Sequence, residues 1–249
     1  YEFVPKKYQD MYRETDVEKL CVRQGVPPQG TKWGDYYRRN IKNYLAMVTG
    51  VDEQFGRILK AIDKRGLKDD TIVIFMSDHG NCLGIHNEEA KNNHYEESMR
   101  IPFIIRWPGK IKSVKDDLLF SPPDIYPTIM GLMGFEDDVP EDVEGTDFSS
   151  LLLGGETKRP SSQLYIRVPY GEPSGGQRGV RTKRYTLMAE KVSGGSLNYV
   201  LHDNIEDPCQ MKNIADEHLD LVKDLIEKEL RPWLKKTSDP WIVNLEEST

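Results

Sequence analysis

The sequence predicts an α/β protein in two parts, with a smaller antiparallel sheet and a packing helix in its C-terminal part. Three patterns in its 249 residues carry this prediction. Residues 36–65 show the three- and four-residue apolar spacing of an amphipathic helix. The segments 71–76 and 101–107 are short apolar runs typical of buried strands. Beyond residue 160, strand-like runs separated by Gly and Ser predict the antiparallel sheet.

The long helix is the most regular element of the sequence. Its apolar positions share one face, and Gly66 stands where a C-terminal cap belongs. These positions are Ile41, Tyr44, Leu45, Val48, Val51, Phe55, Ile58, Leu59 and Ile62. Residues 1–32 show no sustained period, so we expect an irregular arm before the helix.

Two apolar runs flank a polar segment. "DDTIVIFMSD" is continuous and rich in β-branched residues, as in a strand that is buried on both faces of a parallel sheet. "IPFIIRW" has the same character and ends at Pro108. After it, "SPPDIYPTIMGLMG" predicts a helix that Ser121 caps, with Pro122 at its first position and Asp124 in its first turn.

The C-terminal part has a different sequence pattern, with short apolar runs separated by Gly and Ser. The runs "SQLYIRV", "QRGVRTKRYTLMAE" and "LNYVLHD" predict short strands in an antiparallel meander. A last helix, from about Ala215 to Lys235, should follow them with a leucine-rich face. We place the boundary between the two parts near residue 155, which gives parts 1–155 and 156–249.

Composition narrows the function classes. The net charge of −7 argues against a surface for nucleic acid or another large polyanion. No apolar run approaches the ~20 residues that a membrane helix needs, so we expect no membrane span. The three cysteines, Cys21, Cys82 and Cys209, form neither a metal-binding pattern nor a disulfide framework.

The polar segment after the first strand is the candidate site. Ligands of open α/β sheets bind beyond the carboxyl ends of strands, and Asp78 and His79 stand at such an end. A carboxylate beside an imidazole suits a divalent ion, and an oxygen-rich set would favour calcium or magnesium. Lys91 could hold an anion, and His86 could donate to it or act as a general acid. The alternatives are an Asp78 that caps the turn, a hydrogen-bonded structural His79, and solvated loop positions for His86 and Lys91.

The extended pattern "GLKDDTIVIFMSDHGNCLGIHNEEAKNNHYEESMRIPFIIRWPGKI" resembles the sulfatase family, an arylsulfatase-like branch of the alkaline-phosphatase superfamily. The shared landmarks are S-D-H-G, L-G-x-H, a lysine five residues on, Y-E-E-S and R-x-P-G. The resemblance covers roughly residues 1–235. It implies a partial alkaline-phosphatase-like sandwich, in which 1–155 is the C-terminal part of the catalytic domain and 156–249 is a C-terminal subdomain.

The resemblance also implies roles for individual residues. Asp78 and His79 become ligands of a calcium or magnesium ion, and Lys91 becomes a sulfate contact and catalytic residue. His86 becomes a catalytic neighbour of the substrate. The segment "RVPYGEPSGGQRGVRTKR" is the candidate contact for a sugar or aryl group, the alternative being a Gly-rich hairpin with solvated arginines. Its arginines are Arg167, Arg178 and Arg181. Asn81 and Asn87 depart from the residues common in the family.

Two parts of the family pattern are missing. Sulfatases make a formylglycine nucleophile from a C-x-P-S-R or S-x-P-S-R motif, and neither occurs in this sequence. The family's paired N-terminal aspartates are absent too, and Tyr1 would be the tyrosine of a P-P-H-x-P-Y motif. We therefore interpret the chain as the C-terminal portion of a sulfatase, with the formylglycine expected before residue 1. By itself it should be inactive, and its exposed strand edges should favour self-association.

The sequence thus predicts part of a metal-dependent sulfatase that acts on sulfate esters of carbohydrates or small molecules. An exported location, in a bacterial periplasm or outside the cell, is implied by the family alone. One alternative is a phosphohydrolase or phosphonate hydrolase of the same superfamily. The other is a non-catalytic paralogue that binds an anionic glycan or a partner chain, which the acidic charge and the intact Asp78, His79 and Lys91 disfavour.

Overall fold

The computed structural model describes residues 1, 3–191 and 197–242. The chain forms two compact units, Tyr1–Gly109 and Lys110–Thr249. The predicted α/β class is confirmed. In the described residues, no helix has both the length and the apolar character to cross a membrane.

The first unit is built around one long helix. Its helices and strands are α1 (Lys6–Met11), α2 (Lys32–Lys64), β1 (Val73–Met76), α3 (Glu96–Met99) and β2 (Phe103–Arg106), with single 3-10 turns at Val17–Leu20 and Ile85–Asn87. The predicted helix is confirmed as α2. The Thr31 hydroxyl caps it by accepting the Gly34 N–H at 3.1 Å, and Gly66 follows its last turn with a φ of 71°.

The N-terminal arm is more ordered than predicted. Residues 6–11 form α1, a helix too short to give a periodic signal. Tyr8 is buried against α2 at Gly50, where an added Cβ would lie 3.0 Å from its ring. The Tyr12 hydroxyl pairs with that of Thr49 at 2.6 Å. Packing on α2 thus stabilises this helix, which the sequence pattern alone did not reveal.

The direction of the first two strands corrects a prediction. β1 and β2 pair antiparallel with each other, with Val73 opposite Arg106 and Met76 opposite Phe103. Residues of both strands are half-buried or exposed, not buried on both faces. A short apolar run predicts a strand, but it does not predict whether the neighbouring strand is parallel or antiparallel.

The second unit joins helices to a four-stranded sheet. Its elements are α4 (Pro122–Met133), α5 (Ser149–Leu152), β3 (Ser162–Arg167), β4 (Gln177–Thr182), β5 (Tyr185–Lys191), β6 (Leu197–Asp203), α6 (Leu219–Leu225) and α7 (Arg231–Lys236), with 3-10 turns at Glu136–Asp138 and Ala215–Glu217. The sheet runs β3-β4-β5-β6, and every neighbouring pair is antiparallel. The predicted meander is therefore confirmed.

The last helix packs on one face of this sheet and has a local irregularity. Residues Ile226–Leu230, between α6 and α7, form a π-helical turn. Pro232 lacks an N–H and would clash with the carbonyl four residues earlier in a regular helix, so the wider turn accommodates it. Leu219, the first residue of α6, is 58% exposed although it lies within the predicted leucine-rich helix. The core is formed by Val180, Leu187, Ala189, Leu201, Ala215, Val222, Leu225, Ile226, Leu230, Leu234 and Trp241.

Helix α4 belongs to this unit rather than to the first. It begins as predicted, with the Asp124 carboxylate accepting the Ser121 N–H at 2.9 Å. The same carboxylate accepts a hydrogen bond from the Gln163 side chain of β3 at 3.1 Å. Such contacts join α4 to the sheet, and the two compact units divide at 109/110. The family-based assignment of 1–155 and 156–249 remains a prediction.

Candidate functional site

A tight turn follows β1 and presents Asp78 and His79. The Asp78 carboxylate accepts the backbone N–H of His79 at 2.9 Å, and the Ser77 hydroxyl donates to the His79 carbonyl at 2.6 Å. The Gly80 N–H then donates to the Ser98 carbonyl at 2.8 Å. These bonds fix the backbone of the turn against α3, so the two side chains at the strand end have a defined direction.

The imidazole of His79 and the carboxylate of Asp78 face each other. His79 Nδ1 lies 2.7 Å from the Gly80 carbonyl oxygen, which can only accept, so Nδ1 carries a proton. When the ring is neutral, Nε2 is then an acceptor, and it lies 3.3 Å from Asp78 Oδ2. Two acceptors at this separation favour a cation beside both. A histidine that donates its other N–H to a backbone carbonyl is the usual arrangement of a metal ligand.

The electrostatics of the turn keep Asp78 ionised. The hydrogen bond from the His79 backbone N–H holds the pKa of the Asp78 carboxyl below its ordinary value, and the positive charge of Lys91 acts in the same direction. The side chain of Asp78 is 84% exposed. An ionised, accessible carboxylate oxygen is the donor that calcium and magnesium prefer.

The loop that carries Lys91 is closed by backbone hydrogen bonds. The Cys82 N–H donates to the Ala90 carbonyl at 2.7 Å, so Lys91 leaves the loop directly after its closing contact. Gly84 has a φ of 94°, and a Cβ there would meet the Trp33 carbonyl oxygen at 2.8 Å. Lys91 is exposed. The loop therefore has a defined base and presents an ammonium group to solvent.

His86 lies inside the loop and not on its surface. Its ring stacks on Tyr95 with the centroids 3.7 Å apart and the planes at 2°. Nε2 lies 3.2 Å from a carboxylate oxygen of Glu97, and the His86 side chain is only 4% exposed. The other oxygen of Glu97 accepts from Arg23. The catalytic role of His86 remains a prediction. In the structure Tyr95 holds the His86 ring by stacking, and Glu97 binds its Nε2.

Sequence analysis assigned no role to three residues of this region. Glu97 and Tyr95 stand in the quoted Y-E-E-S pattern, and that motif was the available signal for their importance. The third residue is Arg23, in the segment predicted to be irregular, where no pattern pointed to it. Asn81, noted as a departure from the family, donates to the Tyr1 hydroxyl at 2.9 Å.

The metal donor set is partial. Among residues 1, 3–191 and 197–242, no three His, Cys, Asp or Glu side chains are grouped so that they could hold a metal ion. Asp78 and His79 thus fit a divalent ion as two of its ligands. Calcium takes six to eight ligands, so two side chains should hold it weakly.

The three arginines of the predicted substrate segment differ in position. Arg178 is 1% exposed, and its Nε donates to Asp239 at 2.7 Å. Its remaining nitrogens donate to backbone carbonyls, so we correct the predicted substrate contact to a structural role for Arg178. Arg181 is half-buried and donates to the Thr182 carbonyl. Arg167 is exposed at the end of β3.

The strands, the helices and the polar turn after β1 identify an α/β protein, and its likeness to solved sulfatase structures shows the alkaline-phosphatase-like fold. The chain belongs to the sulfatase family. The model of the sulfatase family matches residues 2–135, and the model of the C-terminal part of N-sulphoglucosamine sulphohydrolase matches residues 84–237. The family prediction is therefore confirmed.

Individual relatives agree with this assignment. The chain is 37% identical to an endo-4-O-sulfatase of Bacteroides thetaiotaomicron, over 93% of the chain and 47% of the relative. It is 35% identical to an ulvan-active sulfatase of Formosa agariphila, over 84% of the chain and 40% of the relative. A Bacteroides fragilis crystal structure with a provisional sulfatase assignment superposes with a TM-score of 0.92 at 43% identity, over 98% of this chain and 53% of that one. The chain thus spans about half the length of these relatives.

Proposed function

We propose that this chain is part of a metal-dependent sulfatase that hydrolyses sulfate esters of carbohydrates. Membership of the sulfatase family supports sulfur as the reaction centre over the phosphorus chemistry of the wider superfamily. The names of two relatives, an endo-4-O-sulfatase and an ulvan-active sulfatase, support a glycan as the substrate. Export from the cell is part of the same proposal and rests on the family alone.

The observation that carries the proposal is the convergence of Asp78 Oδ2 and His79 Nε2, 3.3 Å apart, at the end of β1. These residues would hold a calcium or magnesium ion together with ligands from outside the described residues. When bound, the ion neutralises charge on the sulfate oxygens. Asp78 supplies negative charge at neutral pH, and the Gly80 carbonyl keeps the His79 ring in the tautomer that offers Nε2.

Lys91 is the proposed sulfate contact. Its ammonium is exposed and follows the closed base of the loop, so it can approach an anion at the metal. A fixed positive charge beside the sulfate stabilises the negative charge that develops on the leaving oxygen. His86, whose catalytic role is part of the same proposal, holds this loop through its contacts with Glu97 and Tyr95.

The nucleophile is the remaining part of the proposal. The 249 residues contain neither C-x-P-S-R nor S-x-P-S-R, so a formylglycine would come from residues outside this sequence. We accordingly expect the 249-residue chain to hydrolyse no sulfate ester. Turnover by the purified chain that disappears in Asp78→Ala would contradict this expectation.

Calcium titration of the purified chain tests the metal site without depending on activity. We expect weak binding by isothermal titration calorimetry, lost in Asp78→Asn and in His79→Gln. Asp52→Asn is the matched control, because Asp52 is an exposed carboxylate on α2. Equal binding by all four proteins would refute the metal site.

A further inference from the structure

A polar cleft of about 460 Å³ lies in the second unit, at one end of the four-stranded sheet. Its volume is within the range of small-molecule sites, which is about 300–1,000 Å³. Charged and amide side chains, two glycines and one proline form its walls. They are Arg167, Pro169, Glu172, Gly175, Gly176, Gln177, Glu190 and Lys191.

The floor of the cleft is a row across three strands. Arg167, Gln177 and Glu190 are directly opposite one another on β3, β4 and β5, so their side chains share a face. The Tyr165 hydroxyl donates to the Gln177 side-chain oxygen at 3.0 Å, and the Gln177 amide donates to Glu190 at 3.0 Å. This chain of hydrogen bonds orients the amide and one carboxylate before any ligand binds.

The charges of the lining indicate the chemistry of the ligand. Neither Arg167 nor Lys191 forms an ion pair in the part of the chain that the structure describes. The Arg167 guanidinium, on the face of Gln177 and Glu190, suits an anionic group, and the carboxylates of Glu172 and Glu190 suit hydroxyl donors. A sulfated or uronate-containing sugar offers both kinds of group on one ring.

The wall of the cleft is held from behind by two buried side chains. Arg178 donates to the Pro173 carbonyl at 2.9 Å and to the Gly175 carbonyl at 3.2 Å. Trp241, which is fully buried, donates to the Ser174 carbonyl at 3.0 Å. Three consecutive carbonyls of the loop are therefore fixed.

The buried side chains are themselves joined. Arg178 lies over the Trp241 ring at 5.1 Å and pairs with Asp239 at 2.7 Å, so the segment after α7 supports the loop. The loop also meets β3 closely, because a Cβ at Gly176 would lie 2.0 Å from the Arg167 carbonyl oxygen.

We propose that this cleft is a saccharide-binding subsite, in which Arg167 holds an anionic substituent and Glu172 and Glu190 accept sugar hydroxyls. Arg178 and Trp241 act as positioning residues for its wall. The inference rests on the proposed function, since it names how a glycan substrate is held. The sequence suggested Arg178 as a direct substrate contact. In this proposal Arg178 contributes indirectly, because it supports the wall of the cleft.

The test is binding of a 4-O-sulfated glycosaminoglycan tetrasaccharide to the 249-residue chain, measured by calorimetry in the presence of calcium. We expect Arg167→Gln and Glu190→Gln each to weaken binding about tenfold, the loss of one charge-assisted contact. Lys223→Gln, which removes an exposed charge from α6, should leave the affinity unchanged. Wild-type affinity in both cleft variants, or no binding by the wild type, would overturn the inference.

Asp78→Asn separates the two proposals. If it abolishes calcium binding while the cleft variants still weaken saccharide binding, both proposals stand. If the cleft variants bind like the wild type while Asp78→Asn abolishes calcium and saccharide binding, the metal site stands and the cleft fails. If Asp78→Asn binds calcium normally while the cleft variants lose the saccharide, the cleft stands and the metal site fails.

Trp241→Phe tests the positioning role, because it keeps a ring and removes the N–H that binds the Ser174 carbonyl. We expect several-fold weaker saccharide binding, unchanged calcium binding, and altered amide NMR shifts at Gly175 and Gly176. The dispersion of the remaining NMR spectrum reports whether the variant is folded. A folded variant with wild-type saccharide affinity would refute the positioning role.

Discussion

His86 Nε2 lies 3.2 Å from the Glu97 carboxylate, and both side chains are more than nine-tenths buried. Glu97 also accepts from Arg23, so one carboxylate joins the loop that carries Lys91 to α3 and to the N-terminal segment. A buried carboxylate is costly unless it is paired, and here each oxygen has its own donor. The geometry of the candidate site therefore depends on Glu97, although the Glu97 side chain contacts neither Asp78 nor His79.

Glu97→Gln should lower the free energy of unfolding by about 2 kcal/mol, because it weakens two charge-assisted hydrogen bonds while keeping the shape of the side chain. Urea denaturation measures the difference. Glu89→Gln provides the control, since Glu89 is exposed in the same loop. If the two variants were equally stable, the Glu97 pairing would have no energetic role.

The same carboxylate predicts a dependence of stability on pH. Burial raises the pKa of Glu97, but hydrogen bonds from His86, its own backbone N–H and Arg23 outweigh it, and the pKa in the folded protein lies below its ordinary value. A carboxylate with a lowered pKa stabilises the fold at pH values above its unfolded-state pKa of about 4.3. This stabilisation is lost as the pH falls through the folded-state pKa. The stability gap between wild type and Glu97→Gln should thus shrink as the pH falls below about pH 4. A gap that widened with acid would reverse the assigned sign.

Gly80 and Gly56 should respond to alanine in opposite directions. A Cβ at Gly80 would lie 1.9 Å from the Glu97 carbonyl oxygen, so the turn after β1 would have to move. We expect Gly80→Ala to cost at least about 2 kcal/mol and to weaken calcium binding. Gly56 lies within α2 with no atom within 4 Å of such a Cβ, and Gly56→Ala should stabilise the helix by about 0.5–1 kcal/mol. Thermal and urea unfolding of both variants check this contrast, and a neutral Gly80→Ala would show that the turn is not closely packed.

Asp116 in the second unit should titrate unusually low. Hydrogen bonds from Arg159 lower the pKa of Asp116 from 3.8 to about 2. Arg159→Gln should return the pKa toward 3.8, which a carboxyl ¹³C NMR titration can follow. Lys183→Gln should change it less, because Lys183 donates to Asp117 instead. An unchanged titration in Arg159→Gln would show that the pair does not form in solution.

Ile104 is 60% exposed on β2, and Met76 is 37% exposed on the neighbouring β1. Exposed apolar strand residues favour association between copies, so we expect the apparent mass of the 249-residue chain to rise with concentration. Ile104→Lys should reduce this association by placing a charge on the strand. Light scattering measures it, with Asp52→Lys on the surface of α2 as a control that adds positive charge without removing an apolar side chain. A monodisperse monomer at all concentrations would contradict the expectation.

Local chemistry explains which elements were predictable from sequence. The Thr31 and Asp124 caps, the Gly66 stop and the turns of the C-terminal meander are each determined by residues close in the chain. The polar turn that carries Asp78 and His79 was visible for the same reason, because it directly follows an apolar run. The family landmarks then supplied roles that spacing alone leaves open.

The tertiary structure decided what depends on distant residues. It set the antiparallel direction of β1 and β2, because pairing depends on the neighbouring strand and not on the strand's own sequence. It joined Arg23, His86 and Glu97, and it buried Arg178 beside Asp239. The sequence by itself thus determined the long helix α2, the capped helix α4, the last helix, the strands and the chemistry at one strand end. Only packing decided which charged side chains face solvent and which hold the molecule together, because burial and ion pairing arise from contacts between segments far apart in the chain.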